Sequence, residues 1–552
     1  MYRIDQIRLS IDHSEDDLRK KILKKVTFGT DLINWSSLKI LHKSIDSRDK
    51  NNIFYVYNLA FDFVDNITEE EKRKILKNQN VREYKEIIFN DVLNIDEISI
   101  DKTIRPIIVG FGPAGIFASL IFVKNGLKPI IIERGKSLDD RIKDVDRFFT
   151  TLELNEESNV CFGEGGAGAF SDGKLNTNNK DRTGVYKYIL ETFVRYGADK
   201  KILYENNPHI GTDKLVDVIK NIREDIVRLG AEIHYNEKWI YKKYEHFVES
   251  GNPVILAIGN SSRDTFRDLI DNGFKLKPKP FAIGYRISHR QSLINEIQYG
   301  KDNIEHFKNL DKATYKLVYN LDEKHSIYSF CMCPGGYVIN SSNFKNMLSI
   351  NGMSYNDRSG KYANSAIVIT ISKDDIKDFE KVKEEYSDSS KYDLEQFEAL
   401  KLIEFQESIE RKAYNLEEGY IPYKVIGNNE INESGIFKGL ARHSEKLLSI
   451  YDSSNFKIDI NAAIKKGLTY FNKIMPGFYE NYGDNAESIV IAGVETRTSS
   501  PVKLDRDDKY MCNIEGFYPC GEGLGHGGGI MSSAADGVNV AMSILKGQVC
   551  EL

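Results

Sequence analysis

Cysteine and long apolar runs are scarce in this sequence of 552 residues. Its six cysteines are irregularly spaced, which excludes the disulfide framework of a short secreted protein and favours a reducing cytoplasm. No run of about 18 consecutive apolar residues occurs, so we expect no membrane-spanning helix. The first residues carry scattered charges and no apolar core, which is unlike a signal peptide.

A surplus of positive charge is also missing. The chain has 76 Lys and Arg against 82 Asp and Glu, which gives a net charge of −6. This balance argues against a broad nucleic-acid-binding surface. We therefore expect a small-molecule partner and leave the oligomeric state open.

The length predicts several domains, because a single hydrophobic core rarely serves more than about 300 residues. Residues 1–98 are predicted to form a ferredoxin-like α+β domain, and 93–103 a linker. The predicted elements of this domain are strands at 2–11, 52–64 and 84–89 and helices at 15–25 and 68–78.

From Arg105 the pattern becomes an apolar strand, a glycine turn, an apolar helix and a second apolar strand. Such strands are typical of a parallel sheet covered on both faces. The predicted fold class is α/β, with a Rossmann-type domain at 99–275 and 489–552 interrupted by an inserted α+β substrate domain at 276–488. A long charged helix is predicted in the insert, from Asp374 to about Leu416.

The strongest motif is GxGxxG, formed by Gly110, Gly112 and Gly115. The motif permits a tight turn, close approach of the backbone to a pyrophosphate, and close packing of helix on strand. The helix that starts at Pro113 points its free N–H groups at the phosphates. Glu133 ends the second strand, where a carboxylate accepts ribose hydroxyls and repels a 2′-phosphate. The site should therefore take FAD or NAD rather than NADP.

The GxGxxG spacing occurs twice more. No apolar strand precedes the motif around Gly165. This favours a loop that lies along a cofactor, with Ser171 and Lys174 as donors. Around Gly525 a short strand precedes it and a helix follows, which favours contact between that helix N-terminus and a flavin. A second nicotinamide domain is rejected here, because no further strand–helix–strand unit follows.

Longer motifs resemble a known family. They include GFGPAG at 110–115, GEGGAGAFSDGKL at 163–175, AIGNSSRDTF at 257–266, SFCMCPGGYVIN at 329–340, GVETRTSSPVKL at 493–504 and YPCGEGLGHGGGIMSSAADG at 518–537. Together they resemble the FAD-dependent dehydrogenases of the glutathione-reductase-like superfamily, a bacterial and archaeal group without an assigned substrate.

The resemblance implies a Rossmann-type FAD-binding domain behind the ferredoxin-like domain, and it implies FAD as cofactor. The stretch 234–253 is short, which predicts a trimmed hairpin in that domain. The predicted FAD-binding residues are Gly110, Gly112, Pro113, Ala114, Gly115, Glu133, Arg134, Gly165, Gly166, Ser171, Gly173, Lys174, Ala257, Gly259, Gly521, Glu522, Gly528, Gly529 and Ile530.

Candidates for chemistry besides the flavin are few. His526, in the last glycine turn, is the predicted proton donor, with His289 and Tyr337 as alternatives. Cys331 and Cys333 lack a second ligand pair, so no metal site is predicted. Burial as small apolar side chains is their default and a redox disulfide the less favoured alternative. We further hypothesise that Cys333 lines the substrate pocket.

Arg286, Tyr337 and Arg497 are predicted to contact the substrate, the arginines as anion binders. A structural ion pair is the alternative for each arginine.

The favoured function is a cytosolic FAD-dependent oxidoreductase, either a dehydrogenase or a reductase, that acts on a small molecule by hydride transfer. Reduced nicotinamide would visit the flavin transiently. The alternatives are a flavin-dependent RNA-modifying enzyme and a non-catalytic flavin-binding protein.

Overall fold

The computed structural model describes residues 1–26, 32–92, 101–177, 179–308, 310–379, 386, 391–427, 431–479 and 488–547. Within this part of the chain, no helix is both long and apolar enough to cross a membrane.

The N-terminal part forms a four-stranded antiparallel sheet with the order β2-β3-β1-β4. This is the strand order that a ferredoxin-like arrangement requires. Its elements are β1 (Tyr2–Leu9), α1 (Glu15–Val26), β2 (Ile33–Asp46), β3 (Phe54–Phe63), α2 (Glu69–Leu76) and β4 (Val81–Glu83).

Two details of this part differ from the prediction. The last strand is Val81–Glu83, and residues 84–89 contain no strand, so the strand predicted there was wrong. The sequence prediction also missed β2, because its half-exposed residues show no regular alternation of apolar and polar positions. The predicted linker falls largely on 93–100, outside the described residues.

The next part is built on a five-stranded parallel sheet with the order β21-β8-β5-β6-β7. Its strands are β5 (Ile107–Val109), β6 (Ile130–Ile132), β7 (Glu232–His234), β8 (Val254–Leu256) and β21 (Phe517–Pro519). The helices of this part are α3 (Pro113–Lys124), α4 (Leu138–Thr151), α5 (Val185–Arg195), α6 (Thr212–Arg228), α7 (Tyr241–Glu249), α8 (Arg263–Asp271) and α14 (Ile530–Gly547). The helix α7 occupies the short stretch between β7 and β8, where we had predicted a trimmed hairpin.

Helix α3 is apolar on all sides and is buried over ten consecutive residues. Such a helix must be covered by protein on every face. Its first turn lies against β5, where a Cβ on Gly115 would stand 2.0 Å from the Gly110 carbonyl oxygen. The N-terminus of α3 is thereby held at the carboxyl edge of the sheet.

A seven-stranded sheet follows, with the order β11-β12-β15-β10-β19-β16-β18. Its strands are β10 (Phe281–Arg290), β11 (Val318–Asn320), β12 (Ser326–Cys333), β15 (Tyr362–Ile371), β16 (Ile421–Ile426), β18 (Ala441–His443) and β19 (Ile489–Glu495). Smaller sheets are formed by β13 (Tyr337–Asn340), β14 (Ile350–Met353) and β17 (Phe437–Lys438), and by β9 (Leu276–Pro278) with β20 (Val502–Leu504). The helices here are α9 (Gln291–Tyr299), α10 (Lys301–His306), α11 (Leu394–Glu417), α12 (Glu433–Ile436) and α13 (Ile460–Ile474).

Two predictions for this part need correction. Strand β19 pairs with β10 and β16, so a boundary at 488/489 would cut it from its own sheet. The long helix begins after Asp393, whose side chain accepts a hydrogen bond from the Gln396 amide in a capping box. It therefore starts well after Asp374.

We predict that Gly115→Ala destabilises the protein by about 1–3 kcal/mol, because the new methyl group would collide with the strand backbone. Urea unfolding followed by circular dichroism measures this. Gly547→Ala, at the open end of α14, is the control and should change the unfolding free energy little. Equal stability of both variants would contradict the packing described here.

Candidate functional site

A cavity of about 360 Å³ lies between the carboxyl edge of the parallel sheet and the seven-stranded sheet. Its size is within the range of small-molecule sites, roughly 300–1,000 Å³. From the parallel part it is lined by the first glycine turn, Glu133, loop 160–176 and the ends of β8 and β21. From the other part it is lined by Phe330, Cys331, Ile350, Asn351 and Glu495.

Two glycines on the wall of this cavity pack directly against each other. A Cβ on Gly166 would stand 3.1 Å from the Gly112 Cα atom, and one on Gly112 would stand 3.7 Å from the Gly166 Cα atom. Within α3, the first N–H bonded to the preceding turn is that of Ile116, which donates to the Gly112 carbonyl. The amide dipoles before it are directed at the cavity, as a pyrophosphate site requires.

Glu133 lies at the end of β6, and its carboxylate is held by three backbone amides. Phe111 N donates to Oε2 at 2.8 Å, and Gly135 N and Gly163 N donate to Oε1 at 2.9 and 3.0 Å. These bonds fix the carboxylate on the cavity wall, and its remaining lone pairs are available to a hydroxyl ligand.

All the predicted cofactor residues line this cavity except Gly115 and Gly165. Gly115 serves the packing of α3 on β5, and Gly165 faces Ile219, whose Cδ1 atom would lie 2.8 Å from a Cβ there. The sequence prediction missed Glu237, Lys238 and Trp239. Their position just after β7 was an available signal, because ligands bind beyond the carboxyl ends of parallel strands.

A second helix N-terminus also reaches the cavity. Gly528, Gly529, Ile530 and Ser533, at the start of α14, belong to its lining. The glycine turn before α14 therefore lies at the same cavity as the first glycine turn.

His526 lies outside the cavity lining, contrary to its predicted role as flavin-facing proton donor. Its Nε2 atom lies 2.8 Å from the Leu504 carbonyl oxygen, and burial and then the charge of Arg506 lower its pKa. The alternatives do not replace it. His289 is buried against the Phe478 carbonyl at 2.6 Å with its pKa lowered by burial to about 4, and Tyr337 packs beside Tyr355 outside the lining.

Arg497 borders the cavity, but its charge is already paired. Its Nη2 and Nε atoms lie 2.7 and 2.9 Å from the Glu410 carboxylate. The same carboxylate binds Arg263 through two further contacts of 2.7 Å. Burial alone would raise the pKa of Glu410, but Arg263 and Arg497 lower it far below its ordinary value. The structural alternative thus holds for Arg497.

Arg286 is fully buried and lies outside the lining. It donates to Glu495 at 3.0 Å, to Asn364 at 2.8 Å and to Asn351 at 3.1 Å. Because Glu495 and Asn351 do line the cavity, Arg286 positions two polar groups of the site and is not itself placed to bind an anion.

The two thiols are placed in the opposite order to our hypothesis. Cys331 lines the cavity, whereas Cys333 is fully buried behind it. The pairing of β12 with β15 shifts register between Phe330 and Cys333, and Cys331 has a φ of +47°. The bulge turns the first thiol to the cavity, and single-sequence reasoning could not detect it because the partner strand defines it.

Glu522 is a further ionisable group on the cavity wall. Its Oε1 atom accepts a hydrogen bond of 2.6 Å from Asn260 Nδ2. Burial raises its pKa to about 7, although Lys279 and Asn260 oppose the shift. Near neutral pH this carboxyl can therefore hold or release a proton.

Comparison with known proteins gives two matches to domain families. Residues 280–498 match the family "FAD-dependent protein, C-terminal domain-like", which spans β10 to β19. Residues 1–62 match a domain of unknown function, DUF8436.

A protein of Clostridium beijerinckii (strain ATCC 51743 / NCIMB 8052), described as "Uncharacterized protein", is 39% identical over 99% of this chain and 98% of its own length. Among solved structures, CtdE in complex with FAD is 11% identical with a TM-score of 0.27, and the match covers 80% of this chain and 84% of that one. A flavoprotein/dehydrogenase from Cytophaga hutchinsonii is 12% identical with a TM-score of 0.29, over 80% and 79%. Such low TM-scores do not establish a shared fold.

We predict that Glu410→Gln destabilises the protein by about 3–5 kcal/mol, because it leaves two buried guanidinium groups without their anion. The midpoint of urea unfolding measures the loss. Glu404→Gln, an exposed position on the same helix, should change stability by less than about 0.5 kcal/mol. A loss no larger than that of the control would contradict the assigned role of Glu410.

Proposed function

Because this chain belongs to the family of the Clostridium beijerinckii protein and carries the C-terminal domain of FAD-dependent proteins, we propose that it is an FAD-dependent oxidoreductase acting on a small molecule. The observation that carries the proposal is one cavity lined by both the glycine turns of the parallel sheet and polar groups of the seven-stranded sheet. A cofactor and a substrate would share that cavity.

The residues present fit a dinucleotide. The N-terminus of α3, beside the contact between Gly112 and Gly166, would hold the pyrophosphate, and Glu133 would accept the adenosine ribose hydroxyls. The N-terminus of α14 would place a second positive dipole end beside the flavin. FAD, when bound, supplies the transfer of two electrons and a proton.

The substrate would approach from the seven-stranded sheet. Asn351 and Glu495 offer an amide and a carboxylate to it, both oriented by the buried Arg286. Glu522 would exchange the proton that accompanies electron transfer, since its raised pKa and its place on the wall suit that task. Glu522 and Cys331 both line the cavity, and the charge of Cys331 raises the pKa of Glu522 slightly.

We predict that the purified protein shows a flavin absorption spectrum, or gains one when FAD is added. Addition of NADH or NADPH without oxygen should bleach it if reduced nicotinamide supplies the electrons, and persistence of the colour would mean that electrons enter from the substrate. No flavin spectrum after reconstitution would overturn the proposal.

We predict that Gly112→Ala folds with nearly unchanged stability but binds FAD about tenfold more weakly or worse, because the methyl group fills the space towards Gly166 beside the N–H donors that a phosphate would use. The position accepts a Cβ without collision. Fluorescence titration with FAD gives the dissociation constant, and thermal unfolding gives the stability. An unchanged dissociation constant would show that the pyrophosphate does not bind at this turn.

We predict that Glu522→Gln stabilises the flavin-free protein by on the order of 2 kcal/mol at pH 8. A carboxyl whose pKa is raised from 4.5 to about 7 on folding binds its proton more tightly in the folded state. The wild type therefore loses stability as pH rises from about 4.5 to about 7 and does not regain it above.

Thermal unfolding of both proteins between pH 4.5 and pH 8 tests this. The difference should vanish at the acidic end. Glu515→Gln, at an exposed position before β21, is the matched control. A difference between wild type and Glu522→Gln that is independent of pH would contradict the titration assigned to Glu522.

A further inference from the structure

We propose that Cys331 and Cys333 form a dithiol–disulfide couple, a second redox centre beside the flavin that exchanges two electrons with it. This deepens the proposed function and rests on it for the electron partner. The proposal starts from the arrangement of the two thiols on β12.

Cys331 and Cys333 are separated by one residue of a bulged strand, so their Cα atoms are necessarily close. Two residues apart span at most roughly 7 Å, and a disulfide accepts Cα separations of about 4.4–6.8 Å, so a modest departure from full extension suffices. The register shift at this point of β12 shows that the strand is irregular here. The Cys333 Sγ atom lies 3.2 Å from the Cys331 carbonyl oxygen, so the buried thiol is directed back at its neighbour.

Only one of the two thiols meets the cavity. Cys331 belongs to its lining and Cys333 is buried behind it. A small oxidant or a flavin in the cavity can thus reach the Cys331 sulfur. The Cys333 sulfur can then react with the Cys331 sulfur from the protein interior. A couple with one accessible and one resolving thiol needs this arrangement.

The charges around the pair favour a thiolate. Lys174 Nζ lies 4.0 Å from the Cys333 Sγ atom, and Arg286 Nη1 lies 3.4 Å from the Cys331 carbonyl. Facing them are Asp172, 3.3 Å from Lys174, and Glu495, 3.0 Å from Arg286. Each of the two cations is therefore paired with a carboxylate while it also lies beside the two cysteines.

The pKa of Cys331 is lowered, first by a hydrogen bond from the Cys333 thiol and then by the charges of Lys174 and Arg286. The pKa of Cys333 is raised by the same hydrogen bond and by burial. The Cys333 S–H donates to the carbonyl oxygen of Cys331 at 3.2 Å, which holds it beside the Cys331 side chain. The accessible sulfur is thus the one that ionises, as an attacking or electron-donating thiol should.

The backbone at Cys331 also has an unusual conformation. Cys331 has a φ of +47°, a left-handed conformation that is costly for a residue other than glycine. Opposite it, a Cβ on Gly352 would stand 2.2 Å from Arg286 Nη1 and 2.9 Å from Cys333 Sγ. Glycine at that position leaves the room that the arginine and the buried thiol occupy.

The balance of the step is simple. With Cys331 as the thiolate and Cys333 as the thiol, oxidation forms one S–S bond and removes two electrons and one proton. A bound flavin would accept the two electrons and the proton, and reduction reverses the step. Glu522 on the same cavity wall can take or return a proton.

Cys512 and Cys520 show what a merely buried thiol looks like among the described residues. Burial raises the pKa of Cys520 far above its usual range and that of Cys512 to about 11. Neither has a second thiol two residues away. Cys331 differs from them in charge environment, backbone and partner.

Anaerobic reductive titration of the flavin-loaded protein tests the couple. After mild oxidation the wild type should consume about four electrons per bound flavin, two for the flavin and two for the disulfide. Cys331→Ser and Cys333→Ser should each consume about two. Cys512→Ser, which alters a half-buried thiol outside the cavity, is the control and should match the wild type. About two electrons in the wild type would overturn the proposal.

A measurement without flavin separates this proposal from the proposed function. The flavin-free protein is equilibrated with oxidised glutathione, alkylated and digested, and the peptide that contains both cysteines is weighed. We expect an internal disulfide, seen as a loss of about two hydrogen masses with no alkylation at either position. Two alkylated thiols would overturn the couple, whereas absence of flavin binding with a formed disulfide would overturn only the flavin-dependent function.

Discussion

The buried carboxylate of Glu410 is the interaction on which the cavity most depends. It stands on α11 and binds Arg263 at the start of α8 and Arg497 just after β19. It therefore ties the helix that follows β8 of the parallel sheet to the strand end of the seven-stranded sheet, at the wall of the cavity. Two cations around one carboxylate leave a net positive charge, which is tolerable in a buried place because each guanidinium is hydrogen-bonded in a fixed geometry.

This tie explains how two sheets of different architecture form one site. The parallel sheet offers strand ends and helix N-termini, which suit phosphates and ribose. The seven-stranded sheet offers the bulged strand β12 with its thiol and the end of β19 with its carboxylate, and the neighbouring three-stranded sheet offers the amide on β14. Chemistry between a cofactor and a second reactant needs both, and neither sheet contains both by itself.

The sequence-based prediction placed residues at the cavity where a local pattern determines the backbone. Gly110, Gly112 and Glu133 belong to one strand–turn–helix–strand unit, so their spacing alone places them at one edge of a parallel sheet. The glycine turn before α14 was located for the same reason. Residues whose position follows from a local strand–turn–helix pattern thus indicated the cavity directly.

The prediction failed where a side chain's surroundings come from distant parts of the chain. Arg497 was proposed as an anion binder, but its partner Glu410 stands 87 residues away. His526 was expected to face the cavity, but the packing of its turn against β20 directs its ring to a carbonyl. Glu522 was predicted only as a cofactor contact, because its raised pKa results from burial that the fold creates.

The sequence by itself determined the parallel unit with its glycine turn, since hydrogen bonding and steric limits of the backbone act over a few residues. Only the tertiary structure decided which thiol of the Cys-x-Cys pair meets the cavity, because the register of β12 against β15 sets that orientation. It likewise decided which arginines are held in buried ion pairs, since the energy of a buried charge depends on groups that the fold brings from far along the chain.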